Sequence, residues 1–298
     1  MKHPAVTIGL PVYNGAAYLD KALASITAQT FQNMEILVSD NASTDTTPEI
    51  ISKYAAQDNR IRVHRQSENI GALRNYVWLL ENAAAPWIKF AAYDDVLTPN
   101  YVEVLYKLGQ EFPEAQLIAT HTVLIRPDGT VYKDTHFPMQ ANVKQGLERI
   151  KILLKEVRSG WIYGLFRRDS LAAAWHESER FKYAWGQDFL VLLPFLLSGT
   201  VVGTNDATFY QLDTGISKGR YRPKTLAGQA HMYFSYLYEC LRAVWRSSLT
   251  SGQKLILIPR VVVYAGQNSW KFRKLILHTL RYPFMPVKRI LSKKNLSE

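Results

Sequence analysis

The sequence has a single cysteine, Cys240, in 298 residues, so no internal disulfide framework can hold its fold together. An unpaired thiol suits a reducing compartment, and a lone cysteine in a helical stretch reads as a small apolar packing residue. Long apolar runs are also missing. The longest, Phe189 to Leu197 and Leu255 to Ala265, are too short to span a bilayer and are interrupted by Pro194, Pro259 and Arg260. Met-Lys-His-Pro leads directly into a strand-like segment without the apolar stretch of a signal peptide, so a cytoplasmic location is expected. No Gly-x-Gly-x-x-Gly turn follows the first strand, which disfavours a dinucleotide-dependent oxidoreductase, and no Cys/His cluster suggests zinc.

What is present is enough apolar residue, 47%, to bury a large core. The net charge of +11 is unevenly placed. From Arg242 onward there are 12 Lys or Arg and one acid, Glu298, while residues 1–241 carry 24 of each sign. The excess charge is therefore confined to the C-terminal part. No repeats or low-complexity tracts occur.

Short β-branched runs alternate with amphipathic stretches through the first 115 residues, the pattern of βαβ units and a largely parallel sheet. Strands are expected at 5–12, 35–39, 60–65 and 87–92, and helices at 16–30, from Thr46, at 71–81 and after Thr98-Pro99. Thr46 to Glu49 has the spacing of a capping box. Around Pro127-Asp128-Gly129, residues 116–125 and 130–133 read as an antiparallel excursion. Further on, 147–157, 170–176 and 188–197 read as helices, 161–166 as strand, residues near Val201 and Thr208 as strands and 213–224 as a mobile loop. Beyond Thr225 the pattern is helical.

In open α/β sheets, ligands sit beyond the carboxyl ends of the parallel strands. Three such ends carry polar groups: Pro11-Val12-Tyr13-Asn14, Asp40-Asn41-Ala42-Ser43-Thr44-Asp45, and Asp94-Asp95. Asn14, Asp40 and Asp45 taken singly are equally good turn formers or caps. The adjacent carboxylates Asp94-Asp95 after a buried strand repel each other unless a cation or donor neutralises them. A hard ion such as Mn²⁺ or Mg²⁺, which takes one or two carboxylates with waters and phosphate oxygens, suits that pair.

These segments carry a resemblance. PVYN at 11–14, DNASTDTT at 40–47, NIGALRN at 69–75, YDD at 93–95, GLFRR at 164–168 and GQD at 186–188 occur in the order seen in family-2 glycosyltransferases. The likeness spans roughly residues 5–217. It implies an α/β GT-A fold, with a Rossmann-like, mostly parallel central sheet flanked by helices, here with a C-terminal helical extension. The implied domains are a catalytic domain at 1–224, with a nucleotide-binding half at 1–115 and an acceptor-binding half at 116–224, and a basic extension at 225–298.

The implied chemistry is inverting transfer of a sugar from a nucleotide diphosphate sugar, a UDP-sugar foremost, to a saccharide or glycolipid hydroxyl in cell-surface polysaccharide or glycolipid assembly. The resemblance puts Pro11, Tyr13, Asn14, Asp40 and Arg74 on the nucleotide, with Asp40 facing the base. It puts Asp94 on Mn²⁺ or Mg²⁺, Asp95 beside the donor sugar or just behind the metal's direct ligands, Asp188 in the role of general base, and Trp161 and Gly164 on the acceptor side. By sequence alone Asp188 reads rather as an N-cap before the apolar helix, and it is the family position that makes it a base. Two positions depart from the family pattern: Ala92 replaces the first Asp of Asp-x-Asp, and Asp213 stands where a His is common.

A polyprenyl-phosphate sugar synthase and a non-catalytic sugar-nucleotide binding protein remain as alternatives. The tail at 267–298 interleaves Trp270, Phe272, Leu275, Ile276, Leu280, Phe284, Ile290 and Leu291 with eight basic residues, as an interfacial helix on an anionic membrane does. Such a tail would bring the protein to the inner face of the cell membrane, although its apolar face could equally pack on the catalytic domain. A nucleic-acid partner is not expected, since no stacking platform accompanies these charges.

Overall fold

Val6–Val12 (β1) and Met34–Asp40 (β2) are buried at every position, so both strands are covered on both faces, as the centre of a parallel sheet must be. Ile61–Arg65 (β3) and Trp87–Phe90 (β4) flank them. The crossovers are Ala16–Thr27 (α1), Thr47–Ala55 (α2) and Ala72–Asn82 (α3). The pairings Val12↔Asp40 and Gly9↔Phe90 bring the carboxyl ends of three strands to one rim.

The computed structural model describes residues 3–138, 146–213 and 223–267. They fall into two units, Met1–Tyr221 and Arg222–Glu298. The first continues with Val96–Leu97 (β5), Tyr101–Glu111 (α4), Leu117–Ile125 (β6), Val131–Thr135 (β7), Leu147–Glu156 (α5), Leu165–Arg167 (β8), Arg168–Ser178 (α6), Gln187–Ser198 (α7) and Val201–Leu212 (β9). The strand order is β3-β2-β1-β4-β8-β6-β9-β5, with β7 paired to β6.

The sheet is more mixed than the sequence pattern suggests. Only β3, β2, β1 and β4 form the parallel half; β8 runs antiparallel to β4 and β6, while β6 and β9 pair parallel. Three further local expectations are corrected. Residues 201–212 form one long strand, because both ends of β9 pair with β6 across a register shift between Thr120 and His121. Residues 161–166 are not a single strand. Ser159–Tyr163 closes a 3-10 turn in which Trp161 N–H donates to Arg158 O and Gly164 N–H to Trp161 O, and only then does β8 begin. The run of aromatic and β-branched residues favours an extended chain, but a Cβ on Gly164 would lie 2.5 Å from Ile118 O, so the close approach requires glycine.

The capping box at 46–49 does not form either. Thr47 Oγ1 instead accepts from Gly15 N at 2.9 Å, and Asp45 Oδ2 from Ala16 N at 3.2 Å. The loop after β2 thus caps α1, a helix from another crossover.

The second unit consists, over its described residues, of Leu226–Arg246 (α8) packed on Ser251–Gln267 (α9). Thr225 Oγ1 caps α8 by accepting from Gly228 N. Cys240 is buried and its thiol is pushed well above the ordinary range by that burial, as an inert packing residue should be. Among the described residues, no helix is long and apolar enough to cross a membrane. The loop expectation for 213–224 and the tail at 267–298 fall almost wholly outside the described residues.

Candidate active site

A cleft of about 730 Å³ opens at the rim where β1, β2 and β4 end, within the size range of sites for small organic ligands. Pro11, Val12 and Tyr13 form one wall. Asn41, Asn69 and Asn75 continue it, and these asparagines are held by one another and by the backbone. Asn41 Nδ2 donates to Asn69 Oδ1 at 2.9 Å, and Asn75 Nδ2 donates to Ser39 O at 3.0 Å. The start of α3 is thereby pinned to the end of β2.

The floor is acidic. Asp94 and Asp95 follow β4, and Asp213 follows β9 on the cleft wall. Asp95 is 6% exposed, and its Oδ1 accepts from Leu212 N at 2.8 Å. Burial first, then the Asp94 charge, push Asp95 up to about 8, against the Leu212 amide and the Lys89 ammonium. Burial also raises Asp94. Lys89, wholly buried on β4, is pulled down to about 7 by desolvation, with the Asp95 charge opposing. Its ammonium donates to Phe90 O at 2.8 Å and to Tyr163 O at 3.0 Å, which ties the 3-10 turn beneath the cleft.

Tyrosines close the site. Tyr132 Oη on β7 donates to Asp213 Oδ2 at 2.7 Å, and burial together with that carboxylate pushes the phenol up to about 12. Burial likewise pushes Tyr76 on α3 up to about 12, and Tyr163 lines the cleft at the end of the 3-10 turn.

The model of the family described as "Glycosyl transferase family 2" matches residues 7–174, more than half of the chain. The chain belongs to this family.

Among curated relatives, a putative glycosyltransferase EpsH of Bacillus subtilis (strain 168) is 36% identical over 181 residues, which cover 58% of this chain and 50% of that protein. The glycosyltransferase GlyG of Streptococcus pneumoniae serotype 4 is 32% identical over 127 residues, 43% of this chain and 42% of the relative. The matches thus span about half the length of these relatives. Among solved structures, S. aureus TarS 1-349 in complex with UDP-GlcNAc superposes with a TM-score of 0.68 at 16% identity, over 93% of this chain and 76% of that one. The mannosyltransferase PcManGT from Pyrobaculum calidifontis, in complex with GDP-Man and Mn2+, gives 0.54 at 14% identity, over 98% and 79%. At such identities the likeness is one of fold, the α/β GT-A fold.

Within this family member, the residues singled out from the sequence divide between the cleft and its surroundings. Pro11, Tyr13, Asp94 and Asp95 line the cleft. Asn14 lies outside it at a φ of 50°, and its Oδ1 accepts from Thr44 N at 2.8 Å, so it clasps the loop after β2. Asp40 is 1% exposed behind the wall. Its Oδ1 accepts from Ser43 N at 3.0 Å, and Oδ2 lies 3.0 Å from Arg65 without an aligned donor. Arg74 is exposed on α3 and does not line the cleft. Trp161 is buried against Phe137, and Gly164 contributes close backbone packing.

Asp188 sits in the first turn of α7, after Gly186 in the left-handed conformation, and is not on the cleft lining. Its helix packs on the 3-10 turn that carries Tyr163. Burial pushes its carboxyl up to about 6, while the backbone amides of Phe189 and of Asp188 itself pull it down. Asn41, Asn75, Tyr76, Tyr132 and Tyr163 line the cleft without having been singled out. Asn75 ends the NIGALRN block at 69–75, so its signal is present in the sequence. Lys89 had a signal too, as a single charge inside the apolar strand Trp87–Phe90.

Proposed function

We propose that the chain is an inverting, metal-dependent glycosyltransferase that moves a sugar from a nucleotide diphosphate sugar, a UDP-sugar foremost, to a hydroxyl of a saccharide or glycolipid in cell-surface polysaccharide or glycolipid assembly. The observation that carries this reading is the Asp94-Asp95 pair, desolvated at the floor of a strand-end cleft. Supporting it are the fold neighbours whose structures hold UDP-GlcNAc, or GDP-Man with Mn2+. In this reading residues 1–224 are catalytic, with nucleotide and acceptor halves meeting near residue 115, and 225–298 form an extension.

The donor set fits a hard cation. Asp94, Asp95 and Asp213 offer only carboxylate oxygen, and they are not gathered into a closed three-ligand cage. A Mn²⁺ or Mg²⁺ ion anchored by Asp94 and completed by diphosphate oxygens would need no such cage, and when bound it neutralises charge growing on the departing diphosphate. Asp95, fixed by the Leu212 amide, would face the donor sugar. Pro11 and Tyr13 would hold the nucleoside. Asp40, buried behind the wall and ion-paired with Arg65, would act on the base side through the loop that its Oδ1 holds at Ser43 N.

Asp188 is the general base in this scheme, taking the proton of the attacking hydroxyl. A carboxylate raised to about 6 is ionised at neutral pH yet far more basic than an ordinary aspartate. Arg74, Asn14, Trp161 and Gly164 would act on the donor and acceptor sides through the segments they hold. Donor titrations with Mn²⁺ present, followed by transfer assays over a panel of sugar and lipid-phosphate acceptors, test the assignment. Donor binding without hydrolysis or transfer to any acceptor would reduce the protein to a sugar-nucleotide binder. The tail from 267 onward, with eight basic residues, supports attachment to an anionic membrane. Flotation with anionic vesicles of the full chain, compared with a truncation at Gln267, tests that attachment.

A further inference from the structure

A second cluster lies away from the acidic floor, on the β6–β7 hairpin. Thr122 pairs with Thr135, which puts His121 directly across from His136 and diagonally across from Asp134. His121 also pairs with Thr208 on the other side, so Thr208, His121 and His136 make one rung across three strands. The two imidazoles stack with centroids 4.3 Å apart and planes within 7°. Both turn Nε2 toward Asp134 Oδ1: His121 in direct contact, His136 at 3.8 Å.

We propose that His121, Asp134 and His136 form a binding site for a single divalent transition metal, of which zinc is the best fit. One ligand atom from each residue lies within 4.8 Å of the other two. Bonds of about 2.0–2.2 Å to imidazole nitrogen and carboxylate oxygen need ligand atoms roughly 3.5 Å apart, so the widest separation closes by about 1 Å while the direct His121–Asp134 contact opens to admit the ion. Two imidazoles with one carboxylate select zinc, cobalt or nickel over magnesium, whose preference is for oxygen. Thr208 Oγ1 lies 3.1 Å from His121 Nδ1, the position from which an outer hydroxyl orients a ligand ring and leaves Nε2 for the ion. Asp134 and His136 are 54% and 67% exposed at their side chains, so an ion has an open approach and solvent or a further ligand completes its shell.

The site stands independently of the donor-binding reading, but the two share a strand. Tyr132, which holds Asp213 at the cleft, lies two residues before Asp134 on β7, at the register shift opposite Leu124 and Ile125. An ion at the hairpin would therefore stiffen the strand that positions the cleft's tyrosine.

The test is calorimetric titration of the full, chelator-stripped chain with ZnCl₂ in millimolar Mg²⁺, which occupies all-oxygen sites. One zinc per chain is expected, with affinity at least tenfold weaker in His136→Ala and in Asp134→Asn, and about tenfold weaker in Thr208→Val. Cobalt should give the visible bands of a low-coordinate nitrogen–oxygen site in the wild type and lose them in His136→Ala. Both exposed substitutions should leave the thermal midpoint without metal unchanged, which separates ligand loss from misfolding. Equal zinc binding by the wild type and the His136→Ala, Asp134→Asn double variant, or no zinc binding by the wild type, overturns the proposal.

Discussion

Asp188→Asn separates a residue's role in chemistry from its effect on stability, because the two should move in opposite directions. In the folded protein burial holds the carboxyl at about 6, against an ordinary value of 3.8. A folded-state pKa raised above the unfolded one stabilises the fold while the group is protonated, and that advantage is lost as pH rises through about 6. A shift of roughly two units is worth about 2–3 kcal/mol at about 1.4 kcal/mol per unit, so the ionised carboxylate costs the native state that much at neutral pH. Asparagine keeps an oxygen to accept from the Phe189 amide but carries no charge. The variant should match the wild type near pH 4 and gain stability as pH rises, levelling off above about 7. At about 2–4 °C per kcal/mol for a unit of this size, its thermal midpoint should rise by about 4–12 °C at pH 8. Nucleotide-sugar binding measured by calorimetry should persist, while transfer falls by about 10²–10⁴-fold. A wild-type rate that climbs with pH through about 6 would accompany this. Full transfer by the variant would refute the base assignment, and a midpoint gap that does not grow between pH 4 and 8 would refute the reasoning from burial.

Other substitutions probe the remaining parts. Asp94→Ala should fold normally but lose the gain in UDP affinity that Mn²⁺ confers, a difference visible when titrations with and without the ion are compared. Gly164→Ala should destabilise by about 1–3 kcal/mol, since its Cβ would lie 2.5 Å from Ile118 O and 2.8 Å from Leu117 Cδ1; chemical denaturation reads the loss. Tyr132→Phe removes the bond to Asp213 Oδ2, and should weaken donor affinity several-fold with less than about 1 kcal/mol of stability change. An unaltered donor affinity there would mean that the tyrosine does not position Asp213.

Much of the parallel half was legible because its signals are local. Runs such as Val6–Val12 are apolar at nearly every position, and α1 follows at once with Leu19, Leu23 and Ile26 at helical spacing. The antiparallel half was harder to read. Trp161–Tyr163 has the aromatic and β-branched composition of a strand, yet close backbone packing of Gly164 against Ile118 accompanies a turn there. The capping spacing at Thr46 was a true signal of a helix start, but its neighbours Asp45 and Thr47 were recruited by the amides of Gly15 and Ala16, some thirty residues away in the chain.

By itself the sequence determined the order of strands and helices in the first half, the acidic pair that closes β4, and the blocks of residues by which the family is recognised. Each of these depends on residues adjacent in the chain, where periodicity and spacing act directly. Only the tertiary structure decided that Tyr132 reaches Asp213, that Lys89 is buried beneath the Asp pair, and that His121 meets His136 although no Cys/His spacing announced it. Those contacts depend on strand register and pairing partners, which are set by how distant segments bury their apolar faces together.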